Sequence, residues 1–197
     1  EYIVSVDIGG RWRGADYSVV SVLDRHTDGG GGAIPEIVAQ WRGHIDHDLL
    51  AWRAAAMGRW YNNALLVIES NSWESTSDGS GQYILDTLAG VYPNLYYRTG
   101  EGGRGRVAGF HTNVRTKSAL ISNMIAVVRD CRYVERDPDA CDEMMQYESR
   151  PDGSYAARRG CHDDILMSRA IALWIHAAGV SSTARIDPDA LRVILAQ

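Results

Sequence analysis

Apolar residues run through this chain in two rhythms, and those rhythms predict its elements. "EYIVSVD" is a short apolar run closed by an acid, as expected of a buried strand. "GGRWRGADY" reads as a turn, and "YSVVSVLDR" as a second strand that pairs with the first. "HTDGGGGAIP" is a glycine-rich connector, and "EIVAQWRG" is a third strand. The chain therefore opens with a three-stranded antiparallel meander.

The rhythm then lengthens. "DHDLLAWRAAAMGRWYN" begins on aspartate and carries apolar residues at helical spacing. "ALLVIES" is a fully apolar strand that again ends in an acid, "GSGQYILDTLAG" predicts a helix closed by Gly90, and "LYYR" a short strand. "TGEGGRGRVAGFHT" lacks periodicity and reads as a loop, whereas "NVRTKSALISNMIAVVRD" is an amphipathic helix. "ACDEMMQYES", the turn "RPDGS" and "YAARRG" predict a hairpin. "GCHDDILMSRAIALW" begins a helix running to about Ala178, and "DPDALRVILAQ" predicts a short terminal helix. Strands first, then strands alternating with helices, give an α/β fold: a mixed sheet with helices on both faces.

Composition narrows the class. A chain of 197 residues with 45% hydrophobic and 23% charged residues fits one domain, residues 1–197, with a substantial core. No apolar run approaches the roughly 20 residues a membrane span needs, and no signal peptide is visible. The abrupt start at Glu1, one residue before a strand, is expected of a fragment cut from a longer chain. Cys131, Cys141 and Cys161 are odd in number and lack metal-ligand spacing, so they read as reduced and structural. A net charge of −5 argues against a protein that coats nucleic acid, while leaving room for a local basic surface around an acidic site. The basic residues comprise 19 arginines and one lysine, Lys117.

Three acidic positions stand where a regular element meets a loop. Asp7 follows "YIVSV", Glu69 follows "ALLVI", and Asp163 and Asp164 open the last long helix. A carboxylate at the end of a buried strand is costly without a cation, and no basic residue lies within a few positions of Glu69. A divalent cation with oxygen ligands fills that gap. Each acid also has an ordinary reading: a turn residue, a solvated strand end, or a helix cap. A helical wheel puts Leu166, Met167, Ala170, Ile171 and Trp174 on one face, with Asp163 near its middle and Asp164 at its edge. Asp163 is accordingly the preferred ligand, with Asp164 the alternative or supporting one.

The ordered set "VSVDIGGRWRGADYSVVSVLD", "LLVIESNSWES" and "GCHDDILMSRAIAL" resembles the nuclease domain of large terminase subunits, the DNA-packaging proteins of tailed phages. The resemblance implies a ribonuclease H-like fold and two Mg²⁺ or Mn²⁺ ions held by Asp7, Glu69 and Asp163 or Asp164. It implies an auxiliary acid at Asp16, and support for the metals or the scissile phosphate from His162. Trp12 and two arginines in the turn after Asp7 depart from the family pattern. The implied activity is low-specificity endonucleolytic cleavage of double-stranded DNA during genome packaging. Arg98, Arg104, Arg106, Lys117, Arg158 and Arg159 are candidates to meet its phosphates. The implied partners are an N-terminal ATPase of the same full-length protein, the portal and the small terminase subunit, in the cytoplasm of a bacterial host. The chain carries no G-x-x-x-x-G-K-[ST] of its own.

Three other readings compete. A resolvase, transposase core or hybrid nuclease would share the acids but change the substrate. A non-catalytic docking module would keep the fold without a reason to bury the acids. "VDIGG" also resembles the phosphate turn of actin-like ATPases, but Arg11 stands where Ser or Thr would follow, and those proteins need two lobes.

Overall fold

The computed structural model describes residues 1–11, 14–26, 34–71, 80–100 and 105–180. Three strands, β1 (Tyr2–Asp7), β2 (Ser18–Asp24) and β3 (Glu36–Gly43), form the expected antiparallel meander. After helix α1 (His47–Trp60), strand β4 (Leu65–Ile68) inserts parallel to β1, giving the order β3-β2-β1-β4. The sheet continues past β4 through parallel bridges from Leu66 to Leu95 and from Glu69 to Phe110.

Side chains on successive strand residues face opposite ways, so β1 and β4 build two cores at once. Val4, Val6, Leu66 and Ile68 point to one face, covered by Leu50 and Ala54 of α1 and by Leu85 and Leu88 of α2 (Ser80–Val91). Ile3, Leu65 and Val67 point to the other. There they meet Leu120, Ile121 and Met124 of α3 (Val114–Arg129) and Leu166, Ala170 and Ile171 of α5 (Asp164–Ala177). The architecture is the mixed α/β sheet with helices on both faces that the periodicities predict.

Three local readings change. Gly90 does not close α2; the helix runs one residue past it, and buried Tyr92 ends the segment by donating its hydroxyl to the Ala64 carbonyl, 2.6 Å away. The glycine and arginine loop contains strand β6 (Arg106–Ala108), paired antiparallel with β5 (Tyr97–Thr99). That pairing depends on a distant partner rather than on periodicity. Residues 140–145, which the sequence placed in the first arm of the hairpin, belong instead to helix α4 (Pro138–Met145), which starts on Asp137, whose side chain accepts the Asp139 N–H, with Pro138 in its first turn. It leads into the predicted hairpin, β7 (Tyr147–Ser149) and β8 (Tyr155–Ala157). The terminal helix forecast for "DPDALRVILAQ" lies outside the described residues.

A buried polar seam fixes α5 to the sheet. Ser5 donates its hydroxyl to the Ser168 carbonyl at 2.8 Å, and the Ser21 and Ser168 hydroxyls are 2.6 Å apart. Arg169, fully buried, donates to the Ser21 hydroxyl and, at 2.9 Å, to Glu135 Oε2. Small hydroxylated residues on the strands let the helix approach closely while leaving room for that guanidinium.

Candidate metal centre

Strand pairing brings the first two acids together. β1 and β4 are parallel with Val6 opposite Ile68, so Asp7 and Glu69 leave the sheet side by side at its carboxyl end. The Glu69 N–H donates to the Val6 carbonyl at 2.9 Å, which locks that register. Asp7 shares the parity of Ile3, and Glu69 that of Leu65 and Val67; both lie on the face covered by α3 and α5. The first turn of α5 then delivers Asp163 and Asp164.

The carboxylates act on one another. Asp7 keeps some exposure, but its carboxyl is deeply surrounded by protein, and that burial pushes its pKa well above the usual aspartate range. The charges of Glu69, Asp164 and Asp163 push it further in the same direction, against a smaller opposing effect of Lys117. Asp164 is likewise raised, by burial and by Asp16; the Tyr17 N–H, His162 and Arg42 counter this. Such a concentration of hard oxygen donors fits Mg²⁺ or Mn²⁺.

Neither aspartate caps the helix. Asp163 is the N-cap residue but makes no side-chain capping bond, and its φ of −131° and ψ of 15° lie outside helical geometry. The wheel is therefore corrected here: it treats residue 163 as helical, whereas Asp164 is the buried one, 4% exposed, and Asp163 stays half-buried. Asp164 accepts the Tyr17 N–H at 3.0 Å. The capping task falls to Glu143 of α4, whose Oε2 accepts the Leu166 N–H at 2.9 Å.

Glu143 and Arg42 were not among the sequence candidates. Arg42 Nη2 lies 3.4 Å from Glu143 Oε1 and 3.9 Å from Asp164 Oδ2, and its guanidinium sits 4.2 Å over the Tyr17 ring. That ring also stacks on His44 at 4.4 Å and meets the His162 ring edge-on at 5.6 Å. Together these contacts clamp the segment whose N–H holds Asp164. Gly9 permits the approach of that segment, because a Cβ there would stand 2.3 Å from the Asp16 carbonyl oxygen and the Tyr17 carbonyl carbon. Glu143→Ala is expected to cost about 2–3 kcal/mol, combining a lost cap with an unbalanced arginine. It should also weaken metal binding, since Arg42 then turns to Asp164. Urea unfolding and a Mn²⁺ titration check both effects.

The auxiliary candidates divide. Asp16 and His162 are exposed, and with Asp164 they bring one ligand atom each within 4.8 Å of one another. His162 Nδ1 is 3.5 Å from Asp16 Oδ1 and 3.7 Å from Asp164 Oδ2. Lys117 Nζ lies 3.5 Å from Asp163 Oδ2. Arg98 is engaged inside the fold, donating to the Ser70 hydroxyl and the Ala108 carbonyl, both at 3.3 Å. Arg106 covers the Tyr97 ring at 4.5 Å, and Arg158 pairs with Glu148 across the hairpin at 3.0 Å. Arg159 is exposed in the loop leading to α5, and Arg104 lies outside the described residues.

No protein-family sequence model matches the chain, and no curated protein sequence does either. Solved structures do match. The large terminase nuclease from thermophilic phage G20c superimposes with a TM-score of 0.57 at 22% identity, covering 87% of this chain and 81% of the other. The fold is that of large terminase nuclease domains. The P22 large terminase nuclease domain matches with a TM-score of 0.55 at 14% identity, over 92% of this chain and 82% of its own. The human cytomegalovirus terminase nuclease domain, soaked with Mn and bound to an inhibitor, matches at 0.53 and 10% identity, over 89% and 85%. The fold thus matches terminase nucleases of two phages and of human cytomegalovirus, each at 22% identity or less to this chain.

Proposed function

We propose that this chain is a metal-dependent endonuclease that cleaves double-stranded DNA with little sequence preference during viral genome packaging. One observation carries the reading: Asp7 and Glu69 leave adjacent parallel strands side by side, and the charges of Glu69, Asp164 and Asp163 all act on the buried Asp7 carboxyl. The cytomegalovirus neighbour was soaked with Mn, which agrees with the donor chemistry. Divalent ions held there would supply an activated water and charge neutralisation for phosphodiester hydrolysis. Asp7, Glu69 and Asp163 or Asp164 are the residues that would hold them, with Asp7 the carboxyl on which the other acids act. Asp16 and His162 flank the outer rim, and Arg159 faces solvent beside it, where phosphates of a duplex would pass. DNA held through its backbone is read without base contacts, so specificity comes from partners. In that role the partners are an ATPase domain, the portal and the small terminase subunit, in the cytoplasm of the host bacterium. Among the described residues no helix is long and apolar enough to cross a membrane.

Supercoiled plasmid incubated with Mn²⁺, Mg²⁺ or EDTA tests the proposal: nicking and linearisation that need the metal are expected, and no cleavage together with no metal binding would sink it. A four-way junction and an RNA–DNA hybrid, assayed alongside, separate a duplex nuclease from its resolvase-like or hybrid-cutting relatives. The reaction should also depend on pH. Asp7 holds its proton to higher pH than an ordinary aspartate, and metal must displace that proton. Mn²⁺ affinity is therefore expected to keep rising with pH above the ordinary aspartate range, as calorimetry at a series of pH values would record.

A further inference from the structure

Helix α1 is apolar on both of its sides. Leu50, Ala51, Ala54 and Ala55 are buried beneath it, as the core requires. Its outward side carries Leu49, Trp52, Ala56 and Trp60, whose spacing lines them up as one stripe along the helix. Leu49 is 51% exposed, Trp52 46% and Trp60 86%. A helix with apolar residues all round is normally covered all round, and tryptophan is enriched at the energetic centres of protein interfaces. The stripe therefore calls for a partner.

The stripe complements itself. At about 100° per residue, Asp48 and Arg59 share one flank of the outward face at opposite ends, and Leu49 and Trp60 share the other. Two α1 helices laid antiparallel about a two-fold axis keep each flank together and exchange its ends. Asp48 then meets Arg59 of the second copy, Leu49 meets Trp60, and Trp52 lies over Ala56. All three pairs are centred within about half a residue of position 54, so one axis serves them. Ala56, small and near the middle, lets the two helices approach closely. Asp48 and Arg59 are both exposed, and Arg59 is held at its flank by donating from Nη2 to the Val91 carbonyl at 2.9 Å.

We infer that the outward face of α1 is a two-fold, antiparallel interface between two copies of this chain. Two helices about 21 Å long bury less area than a permanent dimer needs, so the pairing is reversible, with a Kd on the order of 10–100 µM. Nε2 of His47, in the first turn of α1, lies 3.2 Å from the carbonyl of Gly9, two residues past Asp7. The start of α1 thus stands at the carboxylate end of the sheet, and antiparallel pairing carries the two acidic clusters to opposite ends of the dimer. Both clusters stay open, so association joins two sites without altering either.

Sedimentation velocity of the 197-residue chain from about 5 to 500 µM should show monomer passing into dimer, with no larger species. Asp48→Arg and Arg59→Asp each set like charges against one another, and symmetry repeats the conflict at both ends of the interface. Each variant should dimerise about tenfold or more weakly than wild type. Mixing the two variants in equal amounts restores opposite charges at both ends, so a heterodimer of near wild-type affinity is expected. Wild type that stays monomeric at every concentration overturns the inference and leaves the stripe to another domain or protein. Variants that dimerise as readily as wild type overturn it too, because the contact then lies elsewhere on the surface. Weakened variants that fail to complement on mixing rule out the antiparallel pairing. The wild-type measurement stands whatever the stability of the variants.

Discussion

Asp7→Asn is expected to raise the melting temperature of the metal-free protein at neutral pH while lowering cleavage by more than about a hundredfold, the upper end for loss of a residue that merely orients a ligand. The two effects share one cause. Burial, with Glu69, Asp164 and Asp163 around it, raises the Asp7 pKa in the folded state. A carboxyl raised in this way contributes stability below its unfolded pKa, and that contribution is lost as pH rises through the folded value. As pH rises above the ordinary aspartate range, ionising Asp7 therefore works against the fold. Asparagine keeps the shape and removes the charge, for an expected gain of about 1–3 kcal/mol, or roughly 2–4 °C for each kcal/mol. Metal reverses the order. A ligand at 100 times its Kd stabilises the wild type by about 2.7 kcal/mol, and the variant should gain little of this. Thermal melts of both proteins in EDTA and in Mn²⁺ should cross. Parallel shifts, or a variant less stable in EDTA, would remove Asp7 from the metal site.

Glu135→Ala has the largest expected effect on stability. Arg169 has no exposure, and its closest charged partner is Glu135 at 2.9 Å; Asp137 stands farther off at 3.7 Å. Removing the partner leaves a guanidinium buried against Ser21 with too little negative charge. Breaking such a pair costs about 3–5 kcal/mol. The remaining Asp137 places the expectation near the lower figure, with a melting temperature lower by roughly 6–12 °C. Arg169→Met combined with Glu135→Leu removes both charges and should recover most of the loss. Guanidinium unfolding of the three proteins decides it. A single Glu135→Ala variant as stable as wild type would show that water or Asp137 carries the charge.

Arg169 shows why part of the site was invisible along the chain. Its position in "SRAIAL" looks like an interruption of an apolar helix, and only packing against Ser21 and Glu135 gives the charge a place. Arg42 is similar: it ends a strand 121 residues upstream of Asp163, and Glu143 lies in a helix that the sequence reading placed in a hairpin arm. Their meeting beside Asp164 is set by how α4 and β3 pack around α5. Arg158, a candidate because it stands just before "GCHDD", pairs with Glu148 across the hairpin, a partner that the local sequence does not reveal.

The sequence by itself determined the meander, the apolar strands ending in Asp7 and Glu69, the helix that opens on Asp163 and Asp164, and so the mixed α/β class. These follow from local periodicity and from acids that interrupt it, which the chain displays without reference to distant residues. The tertiary structure alone decided that Asp164 rather than Asp163 is buried, that Glu143 caps the helix in their place, and that Lys117 reaches Asp163. A helical wheel assumes helical dihedrals from its first residue, and Asp163 does not adopt them. Which carboxylate enters the core depends on the bend of the chain into α5 and on the partners waiting there, and neither is encoded in local spacing.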